Sequence, residues 1–399
     1  MTDVVRSFFP RPKTANEGHR VTTFELLFDL VFVFAFTQVT EFMAEGHSAL
    51  GVLQAFLILG YLWWGWASYG WLANQTHVDE GIMRIGMAIA MVAMFVVALV
   101  IPEAYDDLEG GLFGPTVFVV AYVVIRVVHL TLYFIAAQDD AALRRQVLRT
   151  GGALMIGAAL LVTGALIGGE AQIWIWAVAI ATDMLLTYLT SRGGNWRLQS
   201  AAHWAERYGL IIILALGESI VSIGVGAAHE AISVPLLIGS VLAITLTISL
   251  WWLYFDVTAI AAEHKLAEQK GEARVAMATT AYTYVHLLLV TGIVISALGV
   301  ETVISHVDDG HLDLFGASAL FGGTSLYLAG HALFWKRVGG TWKVWRLAGG
   351  TALLALLPVG AMVHPLVALG IVVAVAVAVS ATETRRYATK RAQIRETRQ

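Results

Sequence analysis

Four charged residues stand inside runs of apolar sequence: Asp29, Arg126, Asp183 and Glu218. A charge at the centre of a bilayer costs about 2.5–3.5 kcal/mol on insertion scales, so such residues mark a pathway, a proton relay or a buried pair. Arg126 and Glu218 fall near the middle of their runs and carry opposite signs, which predicts an ion pair between them. Asp29 and Asp183 fall closer to one end. Glu25 precedes Asp29 by one helical turn, so both carboxylates share a helix face. Two carboxylates that close in a medium of low dielectric suit the holding of a proton or a cation.

Arg126 is followed three residues later by His129, with Tyr122 and Tyr133 extending the same stripe. That face reads as the wall of a polar pathway or a lipid-headgroup site. Gly217-Glu218-Ser219 interrupts an apolar run with a small, a charged and a hydroxyl residue, and Thr37-Gln38 is its counterpart near the start of the chain. Polar interruptions in corresponding helices point to a transport site. The substrate- or ion-binding candidates are therefore Glu218, Asp29 and Arg126, then Glu25, Gln38, Ser219, His129 and Asp183. No catalytic residue, metal site or cofactor is expected. Cysteine is absent, there is no His-Glu-x-x-His and no close ligand pair, and no phosphate loop, nucleophile elbow or dinucleotide fingerprint occurs.

The elements that must position these residues are membrane helices. The chain of 399 residues is 58% hydrophobic and 14% charged, against roughly 25% charged in soluble domains. Twelve apolar runs, at about 24–43, 49–72, 82–101, 115–137, 150–168, 171–190, 207–227, 233–256, 276–300, 314–335, 345–363 and 365–382, approach or reach the ~20 residues a span requires. They are continuously apolar rather than alternating, which excludes a transmembrane barrel. All of the 25 basic residues except Arg126 fall on alternate connections, the two tails or the first turn of the run that follows such a connection, while the other connections carry acidic residues such as Glu103, Asp106, Asp308 and Asp309. Short basic connections stay cytoplasmic, so both termini are expected in the cytoplasm of a multi-pass inner (plasma) membrane protein.

Internal likenesses divide the runs into two parallel repeats of six. Leu62-Trp63-Trp64 matches Leu250-Trp251-Trp252, and His129 and His331 open similar segments. The expected organisation is an N-tail at 1–23, repeats at 24–190 and 207–382 joined by a linker at 191–206, and a basic C-tail at 383–399. The fold class is all-α, a polytopic integral membrane protein. Basic charge spread over seven short segments suits anionic lipid headgroups and excludes nucleic acid as a partner.

Several segments resemble the bacterial low temperature requirement A (LtrA) family. They are FELLFDLVFVFAFTQVT at 24–40, Asp79 with Arg84, HWAERYGLIIILALGESIV at 203–221, WWLYFD at 251–256 and YTYVHLLLVTGIVISALGVE at 282–301. The resemblance spans nearly the whole chain and implies an inner-membrane protein linked to growth in the cold. A fainter likeness is to potassium channels of two six-helix repeats that open on Phe-Ser-Asp; here Phe28-Asp29 lacks the serine, and Gly209-Leu210 stands in the second half. The expected activity is transport of an ion or small solute, proton-linked or proton-gated. The alternatives are a membrane-embedded enzyme acting on lipids and a non-transporting bundle that responds to lipid order in the cold. Expected partners are membrane lipids, the transported ion or solute and, in a homo-oligomer, a second copy of the chain.

Overall fold

The structure, a computed structural model, describes residues 12–191, 195–228 and 231–388. Arg6, Arg11, Arg192, Glu230 and the tail after residue 388 lie outside them. Among the described residues the regular structure is helical apart from one isolated β-bridge, Thr14 to Thr76. Twelve helical segments follow in order: α1 Thr23–Gly46, α2 Ala49–Gln75, α3 Gly81–Leu99, α4 Gly114–Ala136, α5 Ala141–Ile167, α6 Gly169–Ser191 and α7 Ala201–Ala227; α8 Val234–Glu268 and α9 Gly271–Ser305; α10 over 314–339, α11 Val344–Gly360 and α12 Pro365–Arg386. Ten of them are long and apolar enough to cross a membrane. Leu, Ile, Val and Phe side chains are exposed along most helices, and the buried residues include many polar ones. That outward apolar surface is the arrangement lipid demands.

Helix ends differ from apolar-run ends, for a physical reason. The run expected at 150–168 belongs to α5, which starts at Ala141 because Asp140 caps it, accepting from the amides of Ala142 at 3.1 Å and Leu143 at 3.0 Å. Likewise α7 starts at Ala201, inside the expected linker. Caps set where a helix begins, whereas hydrocarbon sets where the apolar stretch begins.

The chain divides into two compact units. The first comprises Met1–Phe42, Leu50–Trp204 and Gly271–Val275; the second comprises Met43–Ala49, Ala205–Lys270 and Ala276–Gln399. Each has a tyrosine on its second helix edge-on to a histidine on its fourth: Tyr69 with His129 at 5.4 Å, and Tyr254 with His331 at 5.7 Å between ring centroids. The two contacts join the same pair of helices in each unit, although Tyr69 and Tyr254 are not in register by the Leu-Trp-Trp match.

In the second unit α9 is the central helix, and it packs closely on α10. A Cβ on Gly292 would come within 2.5 Å of the Tyr327 backbone nitrogen, so only glycine allows this crossing. Both helices carry a π-helical stretch, at Ala278–Tyr284 and Ser318–Gly322. At one end of the unit the buried Arg346 ties four elements together. Its Nε and Nη2 donate to the two Glu383 carboxylate oxygens at 3.1 and 2.8 Å. Nη2 also reaches the Leu253 carbonyl at 3.1 Å and the Thr258 hydroxyl at 3.2 Å, where α8 breaks after Phe255. Nη1 donates to His331. A bidentate, fully hydrogen-bonded guanidinium offsets its own desolvation only while every partner remains. Replacing Arg346 by Ala should therefore destabilise the purified protein by about 3–5 kcal/mol, seen as a large drop in its thermal unfolding midpoint.

Candidate functional site: a buried polar column in the first unit

The column begins where α1 begins. Thr22 and Glu25 form a capping box: Glu25 Oε1 accepts from the Thr22 amide at 3.1 Å and hydroxyl at 3.2 Å, and the Glu25 amide donates back to Thr22 Oγ1 at 3.3 Å. The second oxygen of Glu25 lies 2.9 Å from His203 Nε2 on the first turn of α7, and both side chains are fully buried. Asn74, near the end of α2, sets the tautomer of that histidine. Its Oδ1 accepts from the amides of Gln199 at 2.7 Å and Ser200 at 3.3 Å, which orients the amide. Its Nδ2 then donates to the Ser200 carbonyl at 2.7 Å and faces His203 Nδ1 at 3.1 Å. Nδ1 is thus an acceptor, Nε2 carries the proton, and that proton is donated to Glu25.

The segment before α1 closes over this pair. Ala15 N donates to the Gln75 carbonyl at 3.0 Å, and Lys13 O accepts from the amide of His77 at 3.1 Å and the hydroxyl of Thr76 at 2.8 Å. Ser200, which caps α7 by accepting from the His203 amide at 3.1 Å, has its hydroxyl 3.0 Å from the carbonyls of both Glu17 and His19. The His19 ring stacks on His203 with centroids 4.6 Å apart, meets His77 edge-on at 4.6 Å, and has a buried Nε2 without a hydrogen-bond partner. Burial, reinforced by His203 and His77 and opposed by Glu25 and the Ala73 carbonyl, pushes its pKa down from 6.5 to about 4.

His19, Glu25 and His203 bring ligand atoms within 4.8 Å of one another. The sequence has no closely spaced ligand pair, and the fold brings these residues together across 178 positions between Glu25 and His203. Two imidazoles and a carboxylate match the donors of a zinc-type site. The second shell does not match: a metal on His203 Nε2 requires a proton on Nδ1, and there Asn74 presents a donor rather than an acceptor. The cluster fits a proton better than a metal.

One turn along α1, Asp29 Oδ1 accepts from the Trp66 indole at 2.8 Å, and Glu25 and Asp29 are both buried, as the one-face spacing predicts. Two residues beyond Trp66, the Ser68 hydroxyl accepts from Arg126 Nη1 and donates to the Trp64 carbonyl at 2.7 Å. Arg126 Nη2 donates to Asp183 Oδ2 on α6 at 3.2 Å, with side-chain exposures of 1% and 5%. The carboxylate bonded to Arg126 is therefore Asp183, where the sequence predicts Glu218. Similar depth is a poor guide to pairing because it leaves the rotational position of a helix free. Farther along α2, Tyr61 donates to the Trp176 carbonyl at 2.5 Å, and Tyr61, Tyr122 and Asp183 line a 10 Å³ cavity, about the size of one water. The Tyr122 and Tyr133 hydroxyls make no hydrogen bond, nor does either His129 ring nitrogen, although all three side chains are buried.

Three further candidates have other surroundings. Gln38 donates to Glu41 on its own helix at 3.2 Å. Glu218 and Ser219 are buried in the second unit, where the Ser222 hydroxyl donates to Glu218 at 3.3 Å. Sequence reasoning missed His19, Ser68, Trp66, Asn74 and His203. The Thr22-x-x-Glu25 box and the polar run Asn74-Gln75-Thr76-His77 closing an apolar span were the available signals.

Ten described helices long and apolar enough to cross a membrane, with an apolar outer surface and several buried ionisable residues, define a multi-pass membrane protein. The chain belongs to the bacterial low temperature requirement A protein (LtrA) family, whose family model matches residues 20–381. An uncharacterised protein of Rhizobium meliloti (strain 1021) is 30% identical over 327 residues, covering 79% of this chain and 76% of the relative. No solved structure matches the chain.

The tautomer assignment has a direct check. Nitrogen NMR of histidine-labelled protein should show His203 protonated at Nε2 alone. Asn74→Leu, which strands two backbone amides, should lose that single state and destabilise the protein by about 1–3 kcal/mol.

Proposed function

We propose that this protein transports an ion or small solute across the bacterial inner membrane with proton coupling, its basic connections and both termini on the cytoplasmic side. The observation that carries this reading is the column itself. Glu25, Asp29, Arg126 and Asp183 are at most 4% exposed within membrane-crossing helices, and α2 side chains bond two of the four, Asp29 and Arg126. At roughly 1.5 Å of rise per residue, Asn74 and Tyr61 are about 20 Å apart along α2, some two thirds of a ~30 Å hydrocarbon layer. A bundle needing only stability is better served by apolar packing than by several buried charges.

In this reading Glu25 and Asp29 pass the proton at the cytoplasmic mouth, with His203 and the Trp66 indole as hydrogen-bond donors to their carboxylates. The Arg126–Asp183 pair closes the middle of the column. Glu218 and Ser219 supply oxygen ligands for the solute in the second unit. A lipid-acting enzyme is less well supported, because Arg126 and His129 are buried in the helix interior rather than held at a headgroup plane.

Reconstitution into proteoliposomes tests the proposal. Wild-type protein should carry protons down an imposed pH gradient, and Asp29→Asn should cut that flux by at least an order of magnitude while remaining folded. Glu218→Gln should abolish solute-dependent flux. Absence of wild-type flux over a panel of cations, anions and pH gradients would remove transport as the function.

A further inference from the structure

We propose that residues 13–20 are a strap that lets go when His19 takes up a proton, uncovering the Glu25–His203 pair. The inference concerns access to that pair and stands on the geometry alone, whether or not the column conducts.

Three observations converge. The strap is held by a small number of bonds at its two ends: to α2 through Ala15–Gln75 and Lys13–His77, and to the α7 cap through the Ser200 hydroxyl. Between those ends it contributes one large buried polar side chain, His19, which is 5% exposed. Third, that ring is built into the fold as a neutral base. Its Nε2 has no hydrogen-bond partner. A lone pair left without a donor costs little, but an N–H⁺ left without an acceptor costs the full desolvation of a charge.

The surroundings offer an added proton little: the Ala73 carbonyl favours the charged ring, but burial and the neighbouring imidazoles outweigh it. The titratable groups around His19 are His203 from α7, His77 from the turn after α2, and Glu25 from α1. Neither imidazole stabilises a cation beside it. Glu25 attracts it, but its two oxygens already accept from Thr22 and His203. His203 offers no relief, since Nε2 carries a proton and Nδ1 faces the Asn74 donor. Nearby charges on the strap are spent elsewhere: Glu17 bonds Arg274 at 2.8 Å and Lys13 bonds Glu80 at 2.9 Å.

The sign follows. His19 binds protons more weakly in the closed strap than in an open one, where it regains its ordinary value of 6.5. The closed form is therefore fully favoured above pH 6.5 and loses ground as pH falls toward about 4. One proton per opening event raises the open population roughly tenfold per pH unit across that window.

Hydrogen–deuterium exchange of the full-length protein in lipid nanodiscs reads this directly. The Ala15 and His77 amides bridge strap and α2 and serve as reporters, after correction for the intrinsic pH dependence of exchange. In wild type their protection should fall roughly tenfold per pH unit below about pH 6. In His19→Gln the corrected protection should be flat with pH, while His77→Gln should retain the wild-type slope. Protection in wild type that stays constant down to pH 4 overturns the proposal without any variant. So does a wild-type slope that survives in His19→Gln. Strap opening without proton flux would leave this inference standing and remove only the transport reading.

Discussion

Hydrocarbon offers no partner to a polar group, and the first unit is organised around that constraint. Every charge carried into the membrane there needs a donor or acceptor from another helix, and α2 supplies two of them and orients a third. Trp66 reaches Asp29, Ser68 reaches Arg126, and Asn74 orients the histidine that reaches Glu25. The same helix anchors the chain on either side of this run, through the Tyr61 hydroxyl and through the backbone of Gln75. An apolar α2 of the same shape could pack as tightly, but it would take a hydrogen bond from Asp29 and from Arg126 and leave His203 unoriented.

The second unit meets the same constraint with a different device. Arg346 is saturated by Glu383, His331, Thr258 and a free carbonyl at the α8 break, so it acts as a lock on four elements. Arg126 is less completely satisfied: its Nε lacks a partner, and the neighbouring Tyr122 and His129 are also without hydrogen bonds. Saturation marks a structural ion pair, and partial satisfaction beside unbonded hydroxyls and a small cavity marks a polar interior that is adaptable. That contrast is why the first unit carries the functional reading.

Much of this was legible in the sequence, and what was not has identifiable causes. Continuous apolar runs gave the helices, and rarity of charge in them picked out Asp29, Arg126, Asp183 and Glu218. Partners were not legible, because pairing depends on which way a helix faces. Arg126 and Asp183 are 57 residues apart, and nothing local joins them. His203 stood just outside an apolar run and so looked like a connection, although the Ser200 cap starts α7 before it. Asn74, Ser68 and Trp66 carry no charge and drew no notice, yet they hold the charged residues in place. The strap looked like a tail because its order comes from tertiary contacts rather than from any periodicity of its own.

The account rests most heavily on Arg126 and Asp183 being partners in a working column. The direct measurement is a charge exchange, comparing Arg126→Ala, Asp183→Ala and the double variant Arg126→Asp with Asp183→Arg for folded yield and proton flux in proteoliposomes. Either single variant should lose most of both, since an orphaned buried charge costs about 3–5 kcal/mol, and the exchange should recover a substantial part of each. Single variants that fold and conduct like wild type, or an exchange no better than the singles, would contradict the account.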